Sequence, residues 1–190
     1  MNNNFHESSI KQFEYYKSLG EKTFNQLNDE KLFWQYNAES NSISIIVNHL
    51  QGNMLSRWTD FLTSDGEKDW RNRDEEFENN ITIKEELLKK WNAGWLCLFN
   101  ALNSLTDADL TKLIYIRNQG QTVVEAINRQ LCHYSYHVGQ IVFIGKMICN
   151  ENWVSLSIPK GNSILYNQDK FSQQKHQEHF TNEFLKEKKY

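Results

Sequence analysis

The chain has 190 residues, of which 39% are hydrophobic and 13% are aromatic. This length and composition exclude an intrinsically disordered protein and predict one sizeable core, hence a single domain over residues 1–190. The 21 basic and 24 acidic residues give a formal net charge of −3. That balance argues against a nucleic-acid partner, because binding to a phosphate backbone needs a concentrated basic surface.

The most apolar segment, residues 138–149, is interrupted by Gln140 and Lys146 and is too short to span a bilayer. The amino-terminal residues lack the basic flank and apolar run of a secretory signal. Three cysteines without CxxC spacing are typical of reduced core thiols. We therefore expect a cytoplasmic protein that has no membrane partner.

Four stretches of the chain carry apolar residues at helical spacing. The single proline, Pro159, follows all four and leaves long helices free to form before it. The predicted fold class is therefore all-α, with helices over residues 8–28, 42–62, 82–104 and 122–148. Ile83 is expected on the apolar face of the third helix. Thr122 and Glu125 have the spacing of a capping box, which predicts where the fourth helix begins.

The predicted helices are joined by long connectors, which permit a bundle with a crossover as readily as an up-and-down bundle. Residues 64–80 are polar and of mixed charge, and they predict either a solvated loop or a lid whose Trp70, Arg71 and Arg73 reach over a site. Within residues 105–121, the sequence LTKLIYIRN predicts a short extended piece and NQGQ a turn.

The bundle core is predicted over residues about 8–150, followed by a C-terminal extension over residues 151–190. The first part of this extension is irregular in pattern and is expected to lie as a strap across one end of the bundle. Residues 168–190 are polar and predict a surface or partner-facing helix. His176 and His179 belong to this solvated part and receive no functional role.

Two histidines on the fourth helix, His133 and His137, lie one helical turn apart, so both imidazoles face the same side and can share a metal ion. His49 lies beside the apolar stripe of the second helix and is the third candidate ligand. Gly52 and Ser56 are small residues on the same side, which leaves room next to His49 for a ligand or a neighbouring helix. Cys132 is adjacent to His133 and is expected to point away from the ion.

Three neutral imidazoles leave coordination positions open on zinc, nickel or iron, as in a catalytic site. The sequence places no carboxylate at helical spacing on the face of His133 and His137, so no catalytic residue is identified. Gln130 and Gln140 lie one turn outside the histidine pair. They are candidates for orienting either the ligands or a substrate.

These motifs resemble those of the DinB/YfiT-like superfamily of metal-dependent enzymes, over residues about 8–150. The likeness rests on His49 in VNHLQGNM and on His133 and His137 in RQLCHYSYHVGQI. The resemblance implies a four-helix bundle with a crossover, a divalent metal, a small-molecule substrate and a homodimer. Some relatives use a low-molecular-weight thiol such as bacillithiol or mycothiol.

A narrower likeness involves two further segments. The sequences GNMLSRWTDFLTSDGEKDWRNRDEEF at 52–77 and WVSLSIPKGNS at 153–163 resemble a branch known mainly as a domain of unknown function. The function expected from these resemblances is transfer of a metal-activated thiol to a small electrophile. The alternatives are a metal-dependent hydrolase, a non-catalytic dimeric stress-associated protein with a structural metal, and a helical bundle whose three histidines bind no metal.

Overall fold

A computed structural model describes residues 4–185 of the chain. Six α-helices lie in this part: α1 (Asn4–Phe24), α2 (Ile43–Trp58), α3 (Lys84–Asn103), α4 (Val123–Cys149), α5 (Ser163–Ser172) and α6 (Asn182–Leu185). Two short strands, β1 (Leu113–Ile116) and β2 (Gln119–Thr122), pair antiparallel. Single 3-10 turns occupy Asp29–Phe33, Glu75–Phe77, Asp107–Asp109 and Asn150–Asn152. The fold is therefore mostly helical, and the hairpin corrects the all-α prediction.

The four long helices share one hydrophobic core. Helix α1 packs on α4, and α2 packs on α3, while further contacts join α2 to α4 and α1 to α3. An aromatic cluster lies where three of these helices meet: the Phe13 ring lies 6.4 Å from Trp95 and 5.8 Å from Tyr134, centroid to centroid. Such edge and tilted contacts between buried rings fix the position of α4 against α1 and α3.

The predicted ends of the first three helices need correction. Helix α2 ends at Trp58 rather than near Leu62, because Asp60 adopts a φ of 46°, which a continuing right-handed helix does not allow. Helix α1 ends at Phe24, and Asn28 instead caps the following 3-10 turn. Helix α3 begins at Lys84, so that Ile83 is the residue before the helix and is 55% exposed instead of lying on the apolar face.

The start of α4 is the predicted one. Thr122 Oγ1 accepts a hydrogen bond from the backbone N–H of Glu125, and the Glu125 carboxylate accepts one from the backbone N–H of Thr122. The capping box is thus confirmed. Before this capping box, strand β1 confirms the short extended piece predicted within residues 105–121. The predicted turn at NQGQ needs correction, because most of that sequence lies in β2. The turn is made instead by Arg117 and Asn118, both at positive φ.

Hydrogen bonds from residues 64–66 hold the connector after α2 against the hairpin formed by β1 and β2. The Asp65 carboxylate accepts hydrogen bonds from the backbone N–H groups of Arg117 and Asn118, at 2.8 and 2.9 Å. Gly66 N–H donates to Tyr115 O at 2.8 Å, and Ser56 Oγ donates to Gly66 O at 2.6 Å. The space beside Ser56 is therefore taken by this connector rather than by a ligand or another helix.

The first part of the C-terminal extension is more regular than predicted, since α5 begins at Ser163. The predicted surface helix over 168–190 is interrupted, because α5 ends at Ser172 and α6 spans only Asn182–Leu185 among the described residues. Gln26, two residues after α1, makes two hydrogen bonds with the backbone of Val154, which attaches the extension to that end of the molecule. Helix α6 contacts α1. The last five residues of the predicted surface helix over 168–190 lie outside the described residues.

Among the described helices, none combines the length and apolarity that crossing a membrane requires. The three cysteines are free thiols. Cys132 is exposed, as expected for a side chain that points away from the histidine face. Its exposure corrects the expectation that all three cysteines are core thiols, while Cys97 and Cys149 are partly buried.

Candidate metal centre

His49 from α2 and His133 and His137 from α4 meet where these two helices pack together. The Nε2 atom of His133 lies 3.3 Å from Nε2 of His49 and 3.1 Å from Nε2 of His137. One nitrogen from each ring belongs to a group of potential ligand atoms that all lie within 4.8 Å of one another. His49 and His137 are buried, and His133 is partly buried. The structure thus brings together the three histidines that the sequence singles out.

The second ring nitrogen of each histidine faces an oxygen atom. Nδ1 of His49 lies 2.9 Å from Oε2 of Glu76, and the Nδ1 atoms of His133 and His137 lie 3.3 Å from Oε1 of Gln130 and of Gln140, respectively. A carboxylate or amide oxygen accepts hydrogen bonds, so these contacts favour the neutral tautomer that carries its proton on Nδ1. The lone pairs on the three Nε2 atoms are then left to face one another.

Burial, together with the neighbouring imidazoles, lowers the pKa of His133 to about 3. Burial likewise lowers the pKa of His137 to about 4, with His49 adding to the shift. Both rings are therefore neutral at pH 7, which is the form that binds a metal.

The distances between the nitrogens are compatible with one small divalent ion. A Zn–N bond is about 2.0–2.1 Å long, so two imidazole nitrogens on a tetrahedral ion lie about 3.3 Å apart. The two short Nε2–Nε2 separations, 3.1 and 3.3 Å, agree with this value. Two of the three nitrogen pairs thus have the spacing of ligands on one ion, and the three ligand atoms all lie within 4.8 Å of one another, so the residues present fit a shared metal.

A buried carboxylate completes the surroundings of His49, and sequence reasoning missed it. Glu76 comes from the 3-10 turn Glu75–Phe77 and is 6% exposed. Its two oxygens accept hydrogen bonds from Arg71, from Nε at 2.7 Å and from Nη2 at 2.9 Å. Although burial acts to raise the pKa of Glu76, the hydrogen bonds from Arg71 and His49 hold that pKa below its usual value. Glu76 is therefore an anion beside His49.

Residues 64–80 are thus not a fully solvated loop, and only part of the predicted lid lies against the histidines. The side chain of Arg71 is 2% exposed, which contradicts the solvated interpretation at this position. Trp70, by contrast, is 60% exposed and does not cover the site. Arg73 lies over the Phe77 ring at 5.3 Å, and that ring stacks on His49 with centroids 4.7 Å apart.

Gly52 is the sequence signal that points to Glu76. A Cβ atom at this position would clash with the Glu76 carboxylate, because it would lie closer than van der Waals contact allows. Only glycine therefore leaves the carboxylate room to reach His49. The sequence indicated a close approach at Gly52 but not what approaches. Glu76 lies 27 residues after His49, outside any helical periodicity, so spacing alone does not identify it.

Behind the histidines, Tyr134 is fully buried and links two helices. Its hydroxyl accepts a hydrogen bond from Trp58 Nε1 at 3.0 Å and donates one to Asn53 Oδ1 at 3.1 Å. Burial raises the pKa of Tyr134 above its usual value, so the phenol stays protonated. This network fixes α4 against α2 within a turn of His133 and His137.

The remaining histidines lie elsewhere. His6 Nε2 is 2.9 Å from Leu102 O, His179 contacts Ser8 and Thr181, and His176 is exposed. A cavity of about 970 Å³ lies between the end of α1 and the C-terminal extension, and none of the three clustered histidines lines it.

Comparison with known proteins assigns the chain to a family. A family model described as "Protein of unknown function (DUF1572)" matches residues 1–162. No curated protein matches the chain, and no solved structure does. Because the family model covers most of the sequence, the chain belongs to the DUF1572 family of proteins of unknown function.

Proposed function

We propose that the chain binds one divalent metal ion, zinc, nickel or iron, through the Nε2 atoms of His49, His133 and His137. One observation carries this proposal: each of the three Nδ1 atoms faces an oxygen acceptor, which leaves the three Nε2 lone pairs directed at one another. Two lone pairs that face each other at 3.1–3.3 Å repel unless a cation lies between them.

The alternative of three core histidines without a metal fits this arrangement less well. A hydrogen bond between two Nε2 atoms needs a proton on one of them. In a neutral ring that proton would have to leave Nδ1, so the nearby carboxylate or amide oxygen would lose its donor. A charged His133 or His137 would supply both protons, but the low pKa of each of these two rings makes that form unfavourable.

We propose further that the fold is a DinB/YfiT-like four-helix bundle with crossover connections and that it forms a single domain over residues 1–190. The pairing of α1 with α4 and of α2 with α3 around one core supports the bundle. The long connectors between α1 and α2 and between α3 and α4 support the crossover, because short loops would favour antiparallel neighbours.

For the activity, we propose transfer of a low-molecular-weight thiol to a small electrophilic substrate. An ion held by three neutral imidazoles supplies open coordination positions and lowers the pKa of a bound thiol or water. Glu76 does not serve as a proton acceptor, since both of its oxygens accept hydrogen bonds from Arg71 and one of them also faces His49. This favours a thiol, with a free pKa of about 8.5, over the less acidic water that a hydrolase must deprotonate.

The experiment is an activity screen of the untagged protein loaded with zinc, nickel or iron, compared with the metal-stripped protein. Thiol and electrophile pairs are assayed beside ester and amide substrates. Thiol transfer is expected with the loaded protein and is expected to disappear in His133→Ala. The matched control is His176→Ala, which removes an exposed histidine outside the cluster. Hydrolysis without thiol transfer would support the hydrolase, and no turnover despite bound metal would support a structural ion.

A further inference from the structure

The three candidate ligands are oriented in two different ways. Gln130 and Gln140 lie three residues from the histidines that they contact, on the same helix, so the orientation of His133 and His137 is set as α4 forms. His49 is oriented by Glu76, which lies 27 residues away in the connector between α2 and α3. Only His49 therefore depends on a segment outside the long helices for its hydrogen-bond partner.

Several contacts hold this segment against α2. Asn48, the residue before the ligand, donates from Nδ2 to the backbone oxygens of Glu75 and Glu76, at 3.3 and 3.1 Å. Phe77 stacks on the His49 ring, and Arg71 binds both oxygens of Glu76. The carboxylate thus has a fixed position before any ion binds.

We infer that Glu76 is a positioning residue for the metal ligand His49, and that it links the docking of residues 67–77 to metal binding. This inference rests on the proposed metal site. A carboxylate that accepts the N–H of a ligating imidazole fixes the ring and its tautomer, and it strengthens the opposite nitrogen as a donor. Because linkage is reciprocal, the factor by which docking of this segment raises metal affinity is the factor by which the ion stabilises the docked segment.

The first test is zinc affinity, measured by competition with a chromophoric chelator. Removing a carboxylate that orients a ligand typically weakens metal binding about 10–100-fold, and we expect this loss for Glu76→Ala. Glu76→Gln is expected to recover part of the affinity, because its amide oxygen can still accept from His49. The control is Glu75→Ala, since Glu75 is exposed and contributes only a backbone oxygen. Equal affinity of Glu76→Ala and Glu75→Ala would overturn the inference.

A pair of glycine variants tests whether the position of the Glu76 carboxylate affects zinc affinity, without altering any charge. In Gly52→Ala the new Cβ meets the Glu76 carboxylate and forces it to move, whereas Gly139→Ala places a Cβ where no atom lies within 4 Å. We expect weaker zinc binding in Gly52→Ala and unchanged binding in Gly139→Ala. Both variants gain helix propensity, so a general loss of helix cannot explain a difference between them. Wild-type affinity in Gly52→Ala would show that the position of the carboxylate does not matter.

Hydrogen exchange tests the linkage. Zinc is expected to slow amide exchange in residues 67–77 of the wild type by about the same 10–100-fold factor. The effect should be absent in Glu76→Ala. Equal protection by zinc in both proteins would contradict the linkage.

A measurement on the metal-free protein tests the positioning role of Glu76 independently of the proposed metal site. Nitrogen-15 NMR of the metal-free wild type should show His49 as the Nδ1–H tautomer, and Glu76→Ala should lose that preference. If the wild type binds no zinc, the proposed metal site fails and the linkage fails with it. An unchanged His49 tautomer in a folded Glu76→Ala variant would refute the positioning role itself.

Discussion

His133 and His137 present their Nε2 atoms to each other at 3.1 Å, each with Nδ1 beside a glutamine oxygen from the same helix. Two neutral rings arranged in this way cannot satisfy both Nε2 atoms by bonding to one another. The helix therefore displays two unprotonated nitrogens at the separation that a shared ion requires, and His49 adds a third from α2.

The low pKa values of the two rings predict how the metal-free protein responds to acid. In the unfolded chain both histidines have a pKa near 6.5, whereas in the folded chain the pKa is about 3 for His133 and about 4 for His137. Between these values the unfolded state binds more protons, so the free energy of unfolding falls as the pH drops below about 6.5.

The expected slope is at most about 1.4 kcal/mol per pH unit for each histidine. Urea denaturation in the presence of a chelator, at pH 7, 6 and 5, measures it. A variant with both His133→Gln and His137→Gln should lose less stability over this range. Parallel curves for the wild type and the double variant would show that the two rings do not carry depressed pKa values.

Tyr134→Phe should destabilise the protein by about 1–3 kcal/mol, because the buried N–H of Trp58 loses its acceptor while the shape of the side chain is kept. Urea denaturation measures the change. Tyr136→Phe is the matched control: Tyr136 is 64% exposed, and surface substitutions usually change stability by less than about 0.5 kcal/mol. Equal losses in the two variants would argue against the network of Trp58, Tyr134 and Asn53.

Thr122→Ala should cost about 1 kcal/mol of stability, because the backbone N–H of Glu125 at the start of α4 loses its acceptor. Thermal unfolding measures this loss. Thr63→Ala serves as the control, since Thr63 is exposed and lies outside the helices. A Thr122→Ala variant as stable as Thr63→Ala would mean that the capping box does not stabilise α4.

The parts of the site that follow helical geometry were predictable from the sequence. The spacing of four between His133 and His137 places both imidazoles on one face, and the Thr122–Glu125 capping box fixes where that helix begins. Gln130 and Gln140 were selected by the same periodicity, and the structure places both beside the histidines.

The contribution of the connector was not predictable, because it depends on tertiary contacts between residues without a common period. The polar composition of residues 64–80 indicates solvent exposure, yet Arg71 and Glu76 neutralise each other and are buried together. The hairpin was missed for a related reason. Arg117 and Asn118 form its turn at positive φ, held by Asp65 from far along the chain, and neither residue is a glycine that would mark the turn.

The most direct test of the account is the metal content of the purified, untagged protein, determined by elemental analysis beside the His133→Ala variant. The account predicts about one equivalent of zinc, nickel or iron per chain in the wild type. It predicts none in the variant, with helicity by circular dichroism retained in both. A variant that keeps its full metal content, or a wild type that binds no metal even after reconstitution, would contradict the three-histidine site.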